Sequence, residues 1–493
     1  MKIHRKQNIE LKKPAVLAAG ASIVFILLIS GWMGFRRQRG SVSVNGGMDT
    51  ETSLGDAGRD TEQGRREEKP ENQKDAGEEE ETLAVQYQEV TAQADRLSLS
   101  YDYEGAAALI RGIEGYEGDK ELKEKLASYE KGMESCEPVN IQEVTHVFYH
   151  SLVVDPQRAF ANQDRNPQAA GNNQWMTTVS EFKKIIQEMY DRGYVIVGIH
   201  DILKVSADEN GNTFFEPGEI MLPKGKKAYV LSQDDLSYYH CYDNYGYAAK
   251  MILDEEGKPT CEYITPDGEK VTGDYDIVPI LDKFIEEHPD ASYRGAKGII
   301  ALTGYNGILG YRTDKSYLNV DGNLDDDKRQ WLLDNPDFDI EKEREQAKKV
   351  ADALKEDGWE FASHTWGHIK IRDASFSRLM RDTQKWRENV EPLVGNTDVI
   401  VFAHGQDLGD WGNYDENNEK FQFLKGEGYH IFCNVDQGQY RVYFGRDYLR
   451  QGRRDLDGYR IYRNAEGKED SVSDLFDAKE IIDPLRPPVP PLW

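Results

Sequence analysis

Two histidines four residues apart, His364 and His368 in Ser363-His364-Thr365-Trp366-Gly367-His368, place both imidazoles on one face if the segment is helical. Aimed together they can share one ion, and the chemistry in view is metal binding. A third ligand must come from elsewhere, and the acidic step Asp234-Asp235 offers one. Taken singly, such a histidine pair is more often a surface or capping feature, and an Asp-Asp step a solvated turn. Their setting changes the balance. Asp234-Asp235 follows the apolar run Ala228-Tyr229-Val230-Leu231-Ser232, and His364 follows Trp359-Glu360-Phe361-Ala362-Ser363. Both runs read as buried strands, so both ligand groups sit at strand C-termini, where β/α barrels gather their chemistry.

The motifs carry a resemblance. Ser232-Gln233-Asp234-Asp235 is similar to the Thr-Phe-Asp-Asp motif of the polysaccharide deacetylase (NodB homology) family, and His364-Thr-Trp-Gly-His368 to its His-Ser/Thr-x-x-His motif. Val147-Phe148-Tyr149-His150 resembles the strand with which many members begin. Phe402-Ala403-His404-Gly405 sits where the family has proline, an aromatic and glycine. The likeness covers roughly residues 140 to 445.

This resemblance implies a distorted, incomplete (β/α) barrel and hydrolysis of N- or O-acetyl groups from a cell-surface or extracellular polysaccharide. It implies a divalent metal, most often zinc, on Asp235, His364 and His368, with Asp234 as general base. A backbone N–H near His404 would face the oxyanion. The family protonates its leaving group with a histidine in a late Leu-x-His motif, but no histidine lies beyond His430, which begins its strand. His150 and His404 end theirs, so the acid is expected among these two, His404 first. The alternative is a catalytically impaired carbohydrate-binding or scaffold protein on the same fold.

A formal charge of −28 over 493 residues argues against nucleic acid as a partner and against docking on an anionic leaflet. Residues 14–35 form an apolar run long enough to span a bilayer. Lys2, Arg5, Lys6, Lys12 and Lys13 precede it, which favours a cytoplasmic tail (1–13), a single-pass signal anchor in the cell membrane and an extracytoplasmic remainder. Four cysteines show no metal-site spacing; Cys241 and Cys261 could close a local loop, or all four could be free.

Residues 36–82, rich in Gly, Glu and Asp, read as a disordered acidic linker. Residues 83–137 carry three helical patterns and resemble a small tetratricopeptide-type unit, a stalk or a site for a protein partner. From residue 138 to 493, strand candidates alternate with amphipathic helices: Val144–His150, Thr178–Arg192, Tyr194–Ile199, Val278–Glu287, Gly298–Thr303, Ile340–Asp357, Glu360–Ser363, Phe376–Val394, Asp398–Ala403, Asn418–Gly426 and Tyr429–Cys433. Asp254–Gly257 and Thr265–Gly268 read as hairpin turns. The loop Gly304–Arg312, rich in Gly and Tyr, could line a substrate rim or be a tight structural turn. Arg453-Arg454-Asp455 reads as a surface ion pair.

Overall fold

The computed structural model describes residues 72–319, 324–409, 412–436 and 438–492. The expected anchor at 14–35 and most of the expected linker lie outside them. Among the described residues no helix is long and apolar enough to cross a membrane.

The end of the expected linker is a correction. Residues 72–82 belong to α1 (Asn72–Leu99), which runs unbroken into the helical unit. Glutamate is a good helix former, and the helix is anchored downstream by Tyr87, Val90, Ala94 and Leu97 on one face. With α2 (Tyr103–Arg111) and α3 (Lys120–Glu134), capped by Asp102 and Asp119, they enclose a small core around Ala106, Ile110 and Tyr129. Tyr101 joins the unit to the rest: its ring enters the barrel-floor cluster and its hydroxyl donates to the Asp290 carbonyl at 2.8 Å.

Seven parallel strands close a ring: β1 (Thr145–Tyr149), β2 (Lys227–Asp234), β3 (Ile299–Leu302), β4 (Glu360–Ser363), β5 (Val399–Val401), β6 (Ile431–Val435) and β7 (Leu449–Asp455). Each pairs with the next, and β7 returns to β1 through Arg454 opposite Val147 and Asp455 opposite Phe148. The expected barrel is therefore present with seven strands, one short of eight. A short strand, Tyr194–Ile196, pairs with the first half of β2 on the edge that β3 takes further along, which distorts the ring there.

The period-two alternation of each strand sorts its residues between two cores. Ala228, Val230, Ile299, Ala301, Ala362, Val399, Val401, Ile431 and Cys433 fill the interior. Val147, Tyr149, Tyr229, Leu231, Ile300, Leu302 and Phe361 face outward, against surrounding helices. One of those helices, α4 (Val179–Asp191), buries Phe182, Ile185, Ile186 and Met189, spaced i, i+3, i+4 and i+7. Its first turn is closed by a reciprocal Thr178–Glu181 capping box. Above the apolar layer the interior turns polar. His146 Nδ1 donates to Gln451 Oε1 and its Nε2 accepts from Ser232 Oγ, both at 3.0 Å. Burial, then the nearby Arg453 charge, holds this imidazole neutral.

The long segment between β2 and β3 holds a three-stranded antiparallel sheet, Ala248–Leu253, Pro259–Ile264 and Lys270–Gly273, turning at Gly257 and Gly268 as the sequence suggested. All four cysteines are free. Strand β7 is the ring strand the sequence reading lacked, and Arg453-Arg454-Asp455 is not a surface pair: Arg453 and Arg454 are buried.

At the N-terminal end of the ring, His200 bridges the bases of β4 and β5. Its Nδ1 lies 2.5 Å from Glu360 Oε2 and its Nε2 2.9 Å from Asp398 Oδ1. Both partners can only accept, so the ring must carry two protons. Burial opposes the charge, but Asp398 and Glu360 prevail and lift the pKa from 6.5 to about 10. The folded state thus holds this proton more tightly than the unfolded chain. The stabilisation is complete below about 6.5 and is lost as pH rises through about 10. The side chain is half-exposed, so screening keeps the effect small. His200→Ala should therefore cost more stability in urea unfolding at about pH 6 than at about pH 10. Equal losses would show that the bridge is neutral.

Candidate active site

Three of the ring strands deliver the chemistry. Asp234 is the last residue of β2, and Asp235 turns out of the strand at φ 60°, its N–H donating to the Ala301 carbonyl of β3 at 3.0 Å. His364 follows β4, and its N–H donates to the Leu302 carbonyl at 2.8 Å. His364 and His368 do converge, with ring centroids 5.0 Å apart, but not through a helix. The segment is a turn with Thr365 at φ 63° and His368 at φ 49°. Asp382 holds it, accepting from the N–H groups of Trp366 (2.8 Å) and Gly367 (3.0 Å). A left-handed conformation at a β-branched residue is costly, and such an anchor is what keeps it populated.

His364 Nε2 is 3.9 Å from both Asp234 Oδ2 and Asp235 Oδ1, and His368 Nε2 is 3.6 Å from Asp235 Oδ2. These gaps are too long for hydrogen bonds. Donor atoms held at roughly 2.1 Å from one ion lie about 3–3.5 Å from each other, so the set is close to the spacing a small cation needs. Asp235, His364 and His368 can bring one ligand atom each to within 4.8 Å of one another. The tautomer also fits. His364 Nδ1 donates to the Val401 carbonyl at 2.9 Å, which leaves Nε2 as a lone pair facing the gap. Burial lowers the pKa of His364 to about 4 despite Asp234 and Asp235. Burial works against the charge of Asp235 as well, but the imidazoles of His368 and His364 more than offset it and lower its pKa.

Beside this set lies the residue the sequence reading missed. Arg453 reaches from β7 across the interior and grips Asp234 with both arms, Nη1 to Oδ1 at 2.7 Å and Nη2 to Oδ2 at 2.9 Å. Nη1 also reaches Ser232 Oγ at 3.0 Å, and the guanidinium lies over the Phe148 ring at 4.2 Å. Burial would raise the pKa of Asp234, but Arg453 overrides it and holds the carboxyl well below the ordinary range. The one signal was the string Leu449-Arg-Gln-Gly-Arg-Arg-Asp455, which reads as surface because no apolar alternation survives in it.

Both candidate acids reach this rim. His404, at φ 56° in a single turn after β5, packs against His368 with ring centroids 4.2 Å apart and the rings tilted by 52°. Its Nε2 donates to the His368 carbonyl at 3.2 Å, and burial followed by the His368 charge lowers its pKa. His150 leaves β1 half-buried, its Nδ1 without a hydrogen-bond partner, and its imidazole helps to lower the pKa values of both Asp234 and Asp235. The Gly- and Tyr-rich loop is in part a structural turn. Arg312 is buried and donates to the carbonyls of Ser237 and Tyr238, locking the chain after Asp235. Tyr305 comes forward and stacks on Tyr239, ring centroids 5.2 Å apart.

No family model and no curated protein matches this chain. Two solved structures are similar to it. One is the Streptococcus pyogenes deacetylase PplD in complex with acetate, at 15% identity and a TM-score of 0.32, over 66% of this chain and 98% of that one. The other is BA0330 from Bacillus anthracis, assigned as a polysaccharide deacetylase, at 11% identity and a TM-score of 0.32, over 65% of each chain. Both are named deacetylases, and the second carries the name of the family that the two motifs resemble. Likeness at this level carries no argument about the site.

Arg453→Met should leave the Asp234 carboxylate buried without its partner, at a cost of about 3–5 kcal/mol. Urea unfolding at neutral pH measures it. A loss under about 1 kcal/mol would mean that Asp234 finds another partner or water.

Proposed function

We propose that this chain is a metal-dependent hydrolase that removes acetyl groups from a polysaccharide. The observation that carries the reading is the convergence of Asp235, His364 and His368 on one gap at the C-terminal rim, beside a second carboxylate fixed by Arg453. Two imidazoles and one carboxylate suit zinc and leave room for water and substrate. When bound, such an ion polarises an acyl carbonyl and brings the pKa of water toward about 7.

The remaining work falls to side chains. Arg453 keeps Asp234 charged and fixed in orientation, ready to take a proton from the attacking water. Its low pKa makes it a weak base, so it depends on water that is already acidified. His404 and His150 stand on the same rim as candidate acids for the leaving amine or alcohol. Tyr305, stacked on Tyr239 and near Trp366 at 6.5 Å between ring centroids, offers an aromatic face to a sugar ring. Residues 14–35 would anchor the chain in the cell membrane with this site outside, and residues 83–137 would be free to meet a protein partner. The second reading, a carbohydrate-binding protein on the same fold, is favoured by one fact: Arg453 occupies both oxygens of Asp234.

Purified chain should carry about one equivalent of metal and release acetate from one or more members of a panel of acetylated glycans. Removal of one ligand in His364→Ala should take most of the metal, while Asp234→Asn should keep the metal and lose turnover. Metal content unchanged in His364→Ala would end the metal-site reading. Metal and glycan binding without acetate release would favour the binding protein. In an active preparation, His404→Ala or His150→Ala should slow turnover by about tenfold or more with metal retained. If neither does, the acid lies elsewhere.

A further inference from the structure

Asp235 has one hydrogen-bond donor that no motif foreshadows. Tyr239 Oη lies 2.5 Å from Asp235 Oδ1 and 2.5 Å from Thr303 Oγ1, and Thr303 Oγ1 lies 3.2 Å from Ser237 Oγ. The polarity of this chain is fixed. A carboxylate only accepts, so the phenol gives its proton to Asp235. The Tyr239 oxygen must then accept from the Thr303 hydroxyl, and Thr303 in turn accepts from Ser237. All three hydroxyls point one way, toward Oδ1. The ring of Tyr239 is buried and braced by the parallel stack on Tyr305, with 20° between the planes, so the hydroxyl has little freedom to leave.

We propose that Tyr239 is a positioning residue for Asp235, dividing its carboxylate so that Oδ1 is held by the protein and Oδ2 alone is left to the cation. Oδ2 is the oxygen that faces His368, at 3.6 Å; Oδ1 lies 3.9 Å from His364 Nε2 and is already taken by the phenol. One oxygen and two imidazoles make a compact donor set suited to a four-coordinate transition-metal ion. Calcium, which takes six to eight oxygens and favours two-oxygen carboxylates, is disfavoured by the same hydrogen bond. The inference rests on the metal-site reading and adds to it which oxygen binds and what class of ion follows.

The test is titration of the purified chain with Zn2+ against a chelator of known affinity, and with Co2+ followed by visible absorption. Tyr239→Phe keeps the ring and its stack and removes only the hydroxyl. It should weaken Zn2+ binding about 10- to 100-fold, as loss of an outer partner of a ligand does. The Co2+ band should lose intensity as Asp235 becomes free to bind through both oxygens. Thr303→Val, which removes the donor behind Tyr239, should shift both readings the same way by less and serves if the first variant does not fold. Parent and Tyr239→Phe binding Zn2+ within about twofold, with one Co2+ spectrum, would overturn the inference alone. A parent chain that binds neither ion would overturn the metal-site reading, and this inference with it.

Discussion

The buried pair between Asp234 and Arg453 is the constraint on which the rest of the barrel depends. Removing two charges from water costs several kcal/mol per ion, and the pair is tolerable only with good geometry and further hydrogen bonds. The bidentate grip and Ser232 meet these conditions at Nη1 and Nη2, while the buried Nε has no partner. The consequence spreads through the interior. Ser232 accepts from Arg453 and gives its own proton to His146 Nε2, which leaves the His146 proton on Nδ1 for Gln451 Oε1. A polar layer is thereby laid across β1, β2 and β7, with small apolar residues below it and the reactive rim above. The outward side of β7 follows the same logic, since Arg454 is buried and must meet Asp474 at 2.7 Å.

Backbone strain is concentrated at that rim. Asp235, Thr365, His368 and His404 all hold positive φ, a conformation costing on the order of 1–3 kcal/mol for a residue other than glycine. Asp235 is held by the Ala301 carbonyl of β3 and the turn through Thr365 and His368 by Asp382, while His404 leans on that turn through the His368 carbonyl. The imidazoles and carboxylates are aimed by turns, and the turns are held by strands and by a helix on the outside.

This explains which parts were legible in the sequence. The strand-helix alternation showed because most barrel strands bury apolar residues on both faces. His364, His368 and the Asp pair showed because their partners are neighbours in the chain. Arg453 did not, since 219 residues separate it from Asp234, and its strand presents arginine, glutamine and glycine where apolar alternation would mark a strand. Tyr239 looked like one tyrosine among many. Whether His364–His368 is helical was not legible for a different reason: i, i+4 spacing is also met by a turn with two left-handed residues, and nothing in the spacing separates the two. The same ambiguity of pattern misplaced residues 72–82, whose acidic composition suits either an extended spacer or the start of a helix.

The electrostatic balance of the rim leads to one further step. Asp234 is neutralised by Arg453, and burial keeps His146 and His364 uncharged. That leaves Asp235, only 6% exposed, as a carboxylate whose nearest groups are imidazoles and one phenol. Burial penalises an ionised carboxylate so placed, and the imidazoles beside it offset that penalty only while they carry charge. His364 could supply that charge only by protonation, which would cost it the lone pair now facing the gap. A divalent cation satisfies the carboxylate and both imidazoles at once and requires no proton. The Arg453 grip therefore does more than orient Asp234: by cancelling one of the two adjacent carboxylates, it leaves a single negative charge where one cation has room to sit.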